Sequence, residues 1–236
     1  MRFAHLTDTH INGTVDRRQR LLTALDRARA SGAHHLLLTG DLTANGHPTE
    51  FEELGSILNA WPHDATIVGG NHDGAGFVGA LPGPLGRFHG SSTTVLNFGV
   101  AMVVPLNTYF PNRGLVFRAM GRVGQAQISL LQTVLATSHV PVVVAMHHGP
   151  QRDPLRHLTG LVDGYRLQRL LDSNGRVHIC CGHDHRLIDL QQVHVAASVA
   201  HHPDPLRLYD IVNGCFAVSY RSRCQGKYFG DAVCEL

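Results

Sequence analysis

Short apolar runs alternate with segments of helical spacing through the first third of the chain. Residues 2 to 7 read as a strand, and the stretch from about Val15 to Ser31 places Leu21, Leu22, Leu25 and Ala28 on one helical face, with Gly32 as its stop. His35 to Thr39 forms a second strand that ends at Gly40-Asp41. Pro48 to Ala60 carries Phe51, Leu54, Ile57 and Leu58 at helical spacing, and Ala65 to Val68 is a short apolar strand running into Gly69-Gly70. The order is therefore β-α-β-α-β. Beyond it, Gly74, Gly76, Gly79, Gly83, Gly86 and Gly90 interleave with Pro82 and Pro84, which excludes a long helix or a central strand and predicts a loop beside the site, either a lid, the reading preferred, or a long connection. Thr93 to Asn97 and Val100 to Pro105 suggest a hairpin, Gln125 to Ser138 a helix, and Pro141 to Met146 a buried strand. Tyr165 to Asp172 reads as a short helix and Arg176 to Cys181 as a further strand. Alternating stretches near 187–190, 193–199, 206–211 and 214–220 predict closing antiparallel strands.

The chemistry lies at the ends of these strands. Asp8-Thr9-His10, Gly40-Asp41, Gly70-Asn71-His72-Asp73, His147-His148 and Gly182-His183-Asp184-His185 each place oxygen or imidazole groups just past an apolar run. An aspartate after a strand, taken alone, is more often a helix cap or turn former. In open α/β sheets, however, the carboxyl ends of adjacent strands converge on one crevice, and five such runs in this order indicate a site for two metal ions. Carboxylate, imidazole and carboxamide donors suit zinc, manganese or iron, whereas magnesium or calcium would be held mainly by oxygen. Two divalent ions ~3.5–4 Å apart need a bridging ligand, and Asp41 is the natural one.

Composition narrows the class. At 236 residues the chain suits one domain spanning 1–236, with room for a sizeable core. The 20 basic and 18 acidic residues nearly cancel at +2, which argues against a nucleic-acid or membrane surface. One Trp, 9 Phe and 5 Tyr likewise give no sign of an aromatic-lined nuclease groove. No apolar run approaches the ~20 residues of a membrane span, and Met1 leads into a core strand rather than a signal peptide. The five cysteines, Cys180, Cys181, Cys215, Cys224 and Cys234, show no framework spacing, so reduced thiols and a cytoplasmic location are expected. Nine of the 18 histidines, His5, His34, His35, His63, His89, His139, His157, His178 and His194, are read as surface or hydrogen-bonded core residues.

The runs from Asp8 to His185 resemble the calcineurin-like metallophosphoesterases. Ala4-His5-Leu6-Thr7-Asp8-Thr9-His10, Gly40-Asp41-Leu42-Thr43-Ala44-Asn45-Gly46-His47-Pro48 and Met146-His147-His148-Gly149-Pro150 look most like class III cyclic nucleotide phosphodiesterases and glycerophosphodiesterases. The resemblance implies an α/β fold, a four-layer αββα sandwich with two mixed β-sheets flanked by helices. It implies a first metal on Asp8, His10 and His185, a second on Asn71, His147 and His183, and Asp41 on both. Two divalent ions bring +4, the two aspartates and a bridging hydroxide leave about +1, and that hydroxide, acidified by the metals, is the expected nucleophile. Asn71, His72 and His148 are assigned substrate contact, with His72 stabilising phosphoryl oxygens, His72 or another nearby donor protonating the leaving alkoxide, and Asp73 orienting His72 or a metal-bound group. His47, Asn12 and the His201-His202 pair are further candidates for substrate contact, a turn with Gly13 explaining Asn12 equally well, and Arg113, Arg118 and Arg122, which could meet a second phosphate, are read as surface residues.

The reading is a phosphodiesterase acting on a small phosphoester substrate, a cyclic nucleotide or glycerophosphodiester, with phosphomonoesterase and non-catalytic metal-binding scaffold as alternatives. The seven ligands and His72 are all kept, against the scaffold. Gly-Asp followed by Leu42-Thr43-Ala44-Asn45-Gly46, and Asp73 closing Gly70-Asn71-His72-Asp73, differ from protein serine/threonine phosphatases. His72 where arginine is usual separates the chain from the hydrolases of the lipid A precursor pyrophosphate. A homo-oligomer is left open.

Overall fold

The computed structural model describes residues 1–74, 77, 85–86, 88–90, 94–111, 119–150 and 160–219. Strands β1 (Arg2–Leu6), β2 (His35–Thr39) and β3 (Ala65–Val68) run parallel, joined by helices α1 (Val15–Ala30) and α2 (Pro48–Leu58). β4 (Leu96–Asn97) pairs antiparallel with β5 (Met102–Pro105), and β5, β6 (Val142–Ala145) and β7 (Val177–Cys181) are parallel, with α3 (Gln125–Thr137) and α4 (Gly164–Ser173) between them. β8 (Ile188–Leu190) and β9 (Val193–Val195) form an antiparallel pair, with β9 parallel to β7. The last strands, β10 (Arg207–Val212) and β11 (Cys215–Ser219), return to the first sheet, β10 antiparallel to β1. The two mixed sheets have the orders β11-β10-β1-β2-β3 and β4-β5-β6-β7-β9-β8.

Strand periodicity sorts the core into three layers. Ala4, Leu6, Leu36, Leu38, Ala65 and Ile67 turn toward α1 and α2. Val142, Val144, Val177, Ile179 and Cys181 turn toward α3 and α4. The alternate residues, Phe3, Leu37, Val103, Val143, Ala145, Cys180 and Tyr209, meet between the sheets. A central strand such as β2 is therefore apolar on both faces, with Leu36, Leu37 and Leu38 wholly buried; each contributes about 1.5–3 kcal/mol by leaving water. Three apolar layers make four structural layers, the expected αββα arrangement.

None of the described helices is long and apolar enough to cross a membrane. Most of the expected lid lies outside the described residues, as do Arg113, Arg118, His157, Cys224 and Cys234. Of that glycine-rich stretch, Phe77, Leu85 and Phe88 join the first core layer, and His89 pairs with β3, its carbonyl accepting from Ile67 N at 2.7 Å. Cys180 and Cys181 are free and buried. Cys215, at the start of edge strand β11, is disulfide-bonded, which corrects the expectation of reduced thiols throughout and removes the argument from cysteine usage to a reducing compartment.

Candidate metal centre

The parallel strands bring their carboxyl ends to one crevice, and there the backbone is strained. Asp8, His10, Asp41, His183 and His185 all have positive φ, between 44° and 72°. The other described non-glycine residues in this region are Gln191 and Asn213, which sit in turns between neighbouring strands. Left-handed backbone costs about 1–3 kcal/mol per residue outside glycine and persists where the surroundings over-determine it. Asp8 N donates to Gly40 O at 2.9 Å, His10 N to Asp41 O at 3.0 Å, and Gly182 N to His147 O at 3.0 Å, so each strained turn is tied to the next. Close approach explains two glycines. A Cβ on Gly40 would lie 2.5 Å from His147 Nδ1, and one on Gly182 would overlap the Thr7 hydroxyl.

Two groups of donors result. Asp8, His10, Asp41 and His185 offer ligand atoms within 4.8 Å of one another, and His147, His148 and His183 form a second such group. In the first, His10 Nε2 and His185 Nε2 are 3.4 Å apart, and His185 Nε2 is 3.1 Å from Asp8 Oδ1. Two ring nitrogens at that spacing fit ligands sharing one ion with bonds of about 2.0–2.1 Å. Asp41 stands between the groups, its Oδ2 lying 3.3 Å from His147 Nε2 and 3.9 Å from His10 Nε2. His147 Nδ1 donates to Thr39 O at 2.8 Å, which turns Nε2 toward Asp41.

The electrostatics favour a cation. Burial alone would raise the Asp41 carboxyl, but His147 and His72 beside it hold it below the ordinary carboxylate range. Burial likewise opposes charge on His147, yet Asp41 and Asp8 outweigh it and push the imidazole up to about 9. Asn71 Oδ1 and His148 Nε2 are buried without a hydrogen-bond partner, while Asp8 Oδ1 and His147 Nε2 meet His185 and Asp41 in ion-pair contacts. Leaving such an atom unsatisfied costs about 1–3 kcal/mol, and divalent cations would satisfy the carboxylate, amide and imidazole donors gathered here.

The remaining candidates fall into place unevenly. His72 N donates to Asp41 Oδ1 at 2.8 Å, and its ring lies edge-on to His10, with centroids 4.8 Å apart. Its Nδ1 donates to the Ala44 carbonyl at 2.8 Å, so Nε2 faces the crevice, 4.0 Å from Asp41 Oδ2. Asp73 does not orient His72, contrary to expectation. Its carboxylate, 1% exposed, accepts from Leu42 N, Thr43 N, the Thr43 hydroxyl and Gly70 N at 2.8–3.1 Å, clamping the β2 and β3 turns together. Burial and the neighbouring Asp41 raise it to about 6. His148 is fully buried, with Nδ1 2.8 Å from the Thr108 hydroxyl and its ring 4.4 Å from that of His183. It presents no exposed edge to a substrate and instead backs the second group. His47 serves as N-cap of α2, with Glu50 reaching back to its N–H at 3.1 Å. Asn12 Oδ1 accepts from Thr14 N at 3.2 Å in a turn.

Sequence reasoning missed Thr39, Ala44 and Thr108, which fix the ring orientations of His147, His72 and His148. Thr39 had a signal, since it directly precedes Gly40-Asp41. Ala44 acts through its carbonyl, which side-chain chemistry does not reveal. His5 meets the expectation of a hydrogen-bonded core residue, held by Tyr209 OH at 2.8 Å and the Thr39 hydroxyl at 2.7 Å.

Comparison with known proteins agrees with this architecture. A probable cyclic nucleotide phosphodiesterase of Rhodococcus erythropolis is 32% identical over 200 residues, covering 77% of this chain and 64% of that protein. The chain thus spans slightly less than two thirds of that relative. Glycerophosphodiester phosphodiesterase GpdQ of Enterobacter lignolyticus is 25% identical over 209 residues, 79% of this chain and 72% of its own length. In structure, a dimetal phosphatase of Danio rerio superposes with a TM-score of 0.71 over 92% of this chain and 95% of its own, at 13% identity, a likeness of fold. The model of the family described as calcineurin-like phosphoesterase matches residues 1–187, and it is to this family that the chain belongs.

Proposed function

We propose that the protein is a dinuclear metal-dependent phosphohydrolase that cleaves small phosphodiesters. The observation that carries this reading is the placing of Asp41 Oδ2 between the His10 and His147 nitrogens, where one carboxylate can serve both donor groups. Asp8, His10, Asp41 and His185 would hold the first ion; Asn71, His147, His183 and again Asp41 the second, and the mixed nitrogen and oxygen set suits manganese, iron or zinc. When bound, two such ions would supply Lewis acidity, acidifying water and drawing charge from phosphoryl oxygens. The protein's own part is positional. Asp41 accepts the His72 N–H, Ala44 takes the His72 Nδ1 proton, and the exposed Nε2 edge is left to donate to a phosphoryl or departing oxygen. His201, exposed beside His10 and His185, borders the same opening. The names of the bacterial relatives support a cyclic nucleotide or glycerophosphodiester as the substrate class.

The test compares bis(4-nitrophenyl) phosphate with 4-nitrophenyl phosphate on metal-reconstituted protein, with elemental analysis of the same sample. A diester preference of tenfold or more in kcat/KM and two transition-metal equivalents per chain are expected. A monoester preference would replace the phosphodiesterase with a phosphomonoesterase. Two bound metal equivalents without turnover of either ester would leave only the metal-binding scaffold, and failure to bind transition metal after reconstitution would refute the dinuclear centre itself.

A further inference from the structure

The rim of the crevice beside the first donor group carries a cation that neither metal binding nor the His72 chemistry uses. Helix α1 holds five arginines. Four are paired with carboxylates: Arg18 with Glu53, Arg20 with Asp16, Arg27 with Asp204 and Arg29 with Asp26. Among the described residues no carboxylate pairs with Arg17, whose Nη1 donates instead to the carbonyl of Ala200. Ala200 is itself fixed to the centre, because its N–H donates to Asp8 O at 3.1 Å.

Helix geometry explains why this arginine differs. Arg17 lies one turn before Leu21, on the stripe of Leu21, Ala24, Leu25 and Ala28 that α1 buries. Only four residues separate His10 from the first residue of α1, so that stripe begins at the carboxyl end of β1, next to the donors. Arg17 is half-buried with its guanidinium turned to Ala200, whereas Arg18, Arg27 and Arg29 are exposed and Arg20, also half-buried, is turned back to Asp16 of its own helix. Past Ala200, the His201 ring stacks on His185 at 5.4 Å and lies 6.1 Å from His10.

We infer that Arg17 is a specificity-determining residue that receives a second anionic group of the substrate, a carboxylate or an additional phosphate on one ester arm. The inference rests on the phosphodiesterase reading and narrows it to diesters bearing such a charge. A guanidinium has five N–H donors, and the bond to Ala200 uses one, leaving a fork that matches a carboxylate or phosphate edge. Its tether holds that fork in position before substrate arrives, so little side-chain freedom is lost on binding. A diester whose arms are uncharged would leave this cation with water alone.

The test compares bis(4-nitrophenyl) phosphate with bis(3-carboxy-4-nitrophenyl) phosphate on metal-loaded wild type, Arg17→Gln and Arg17→Lys. The two arms are identical in each ester, so the outcome does not depend on which arm departs. Comparing the ratio of kcat/KM values between proteins cancels the intrinsic reactivity of the leaving groups. Arg17→Gln is expected to lower the carboxylated-to-plain ratio at least tenfold, and Arg17→Lys, which keeps the charge without the fork, to lower it less. Thermal melts of the three proteins identify any variant that has lost its fold, and the lysine variant then carries the comparison. An unchanged ratio, with wild type turning over the plain diester, reduces Arg17 to a tether and sinks this inference alone. No turnover of either ester by metal-loaded wild type sinks the phosphodiesterase reading and the assignment together.

Discussion

Replacing Asp41 by asparagine probes the centre at the point where its two halves meet. The carboxylate uses both oxygens, Oδ1 accepting from His72 N at 2.8 Å and Oδ2 facing the nitrogens of His147, His10 and His72 at 3.3, 3.9 and 4.0 Å. A carboxamide has one oxygen. If that oxygen keeps the His72 N–H, an NH2 donor replaces the acceptor between the two donor groups; if it turns to the metals, two N–H groups confront each other at Oδ1. Either arrangement also removes one of the negative charges that offset the cations. Deleting one partner of a buried charged pair costs about 3–5 kcal/mol, which corresponds to a loss of roughly 10²- to 10⁴-fold in affinity for the less firmly held ion. The assay is metal content after exhaustive dialysis, read beside kcat/KM for bis(4-nitrophenyl) phosphate. Asp41→Asn should retain at most one metal equivalent, and its kcat/KM should fall at least a hundredfold. Two retained equivalents with activity within tenfold of wild type would show that Asp41 is not shared and would refute the bridging argument.

The same geometry sets two further outcomes. His72→Ala should keep both metal equivalents while kcat falls about 10²- to 10⁴-fold, the usual range for a positioned acid or base; an equal loss of metal, measured by elemental analysis, would reassign His72 as a ligand. Stability should fall in mild acid because burial, reinforced by His89 and opposed by Asp64, holds the His35 imidazole at about 4. Its ordinary value is near 6.5, so the unfolded chain takes up the proton first; the contribution is intact above pH 6.5 and is lost as pH falls toward 4. His35→Gln, which can still reach the Thr66 hydroxyl now 2.8 Å away but does not titrate, should remove about 2 kcal/mol of the loss between pH 7 and 5 in urea unfolding. Parallel pH profiles for the two proteins would contradict it.

The fold was legible where period and punctuation agreed. β2 and β3 stand where the apolar runs place them, because Gly40 and Gly69-Gly70 end those runs abruptly, and α1 stops near Gly32. The closing strands were visible as alternating segments, but their destinations were not. β10 returns to the first sheet beside β1, with Arg2 bonded to Asp210 at 2.8 Å, and β11 adds outside β10, while β9 stays beside β7. Alternation records which face of a strand is buried and says nothing about which neighbour supplies its hydrogen bonds.

The candidate site was legible for a related reason and incomplete for another. A candidate ligand must leave the strand direction immediately after the last ladder bond, and Asp8, His10, Asp41, His183 and His185 do so by adopting left-handed backbone that their side chains would otherwise avoid. Residue types that suit metals, placed at points of enforced strain, stand out even in one sequence. Asp73 and Arg17 show what remains hidden. Asp73 looked like a partner for the imidazole beside it, yet in the turn from Gly70 its carboxylate points back to three backbone N–H groups and the Thr43 hydroxyl. Arg17 looked like any of five arginines on a charged helix until the fold set its stripe against the crevice. In both cases the residue type gave the possible chemistry, and the direction of the side chain, fixed by contacts distant in sequence, decided its use.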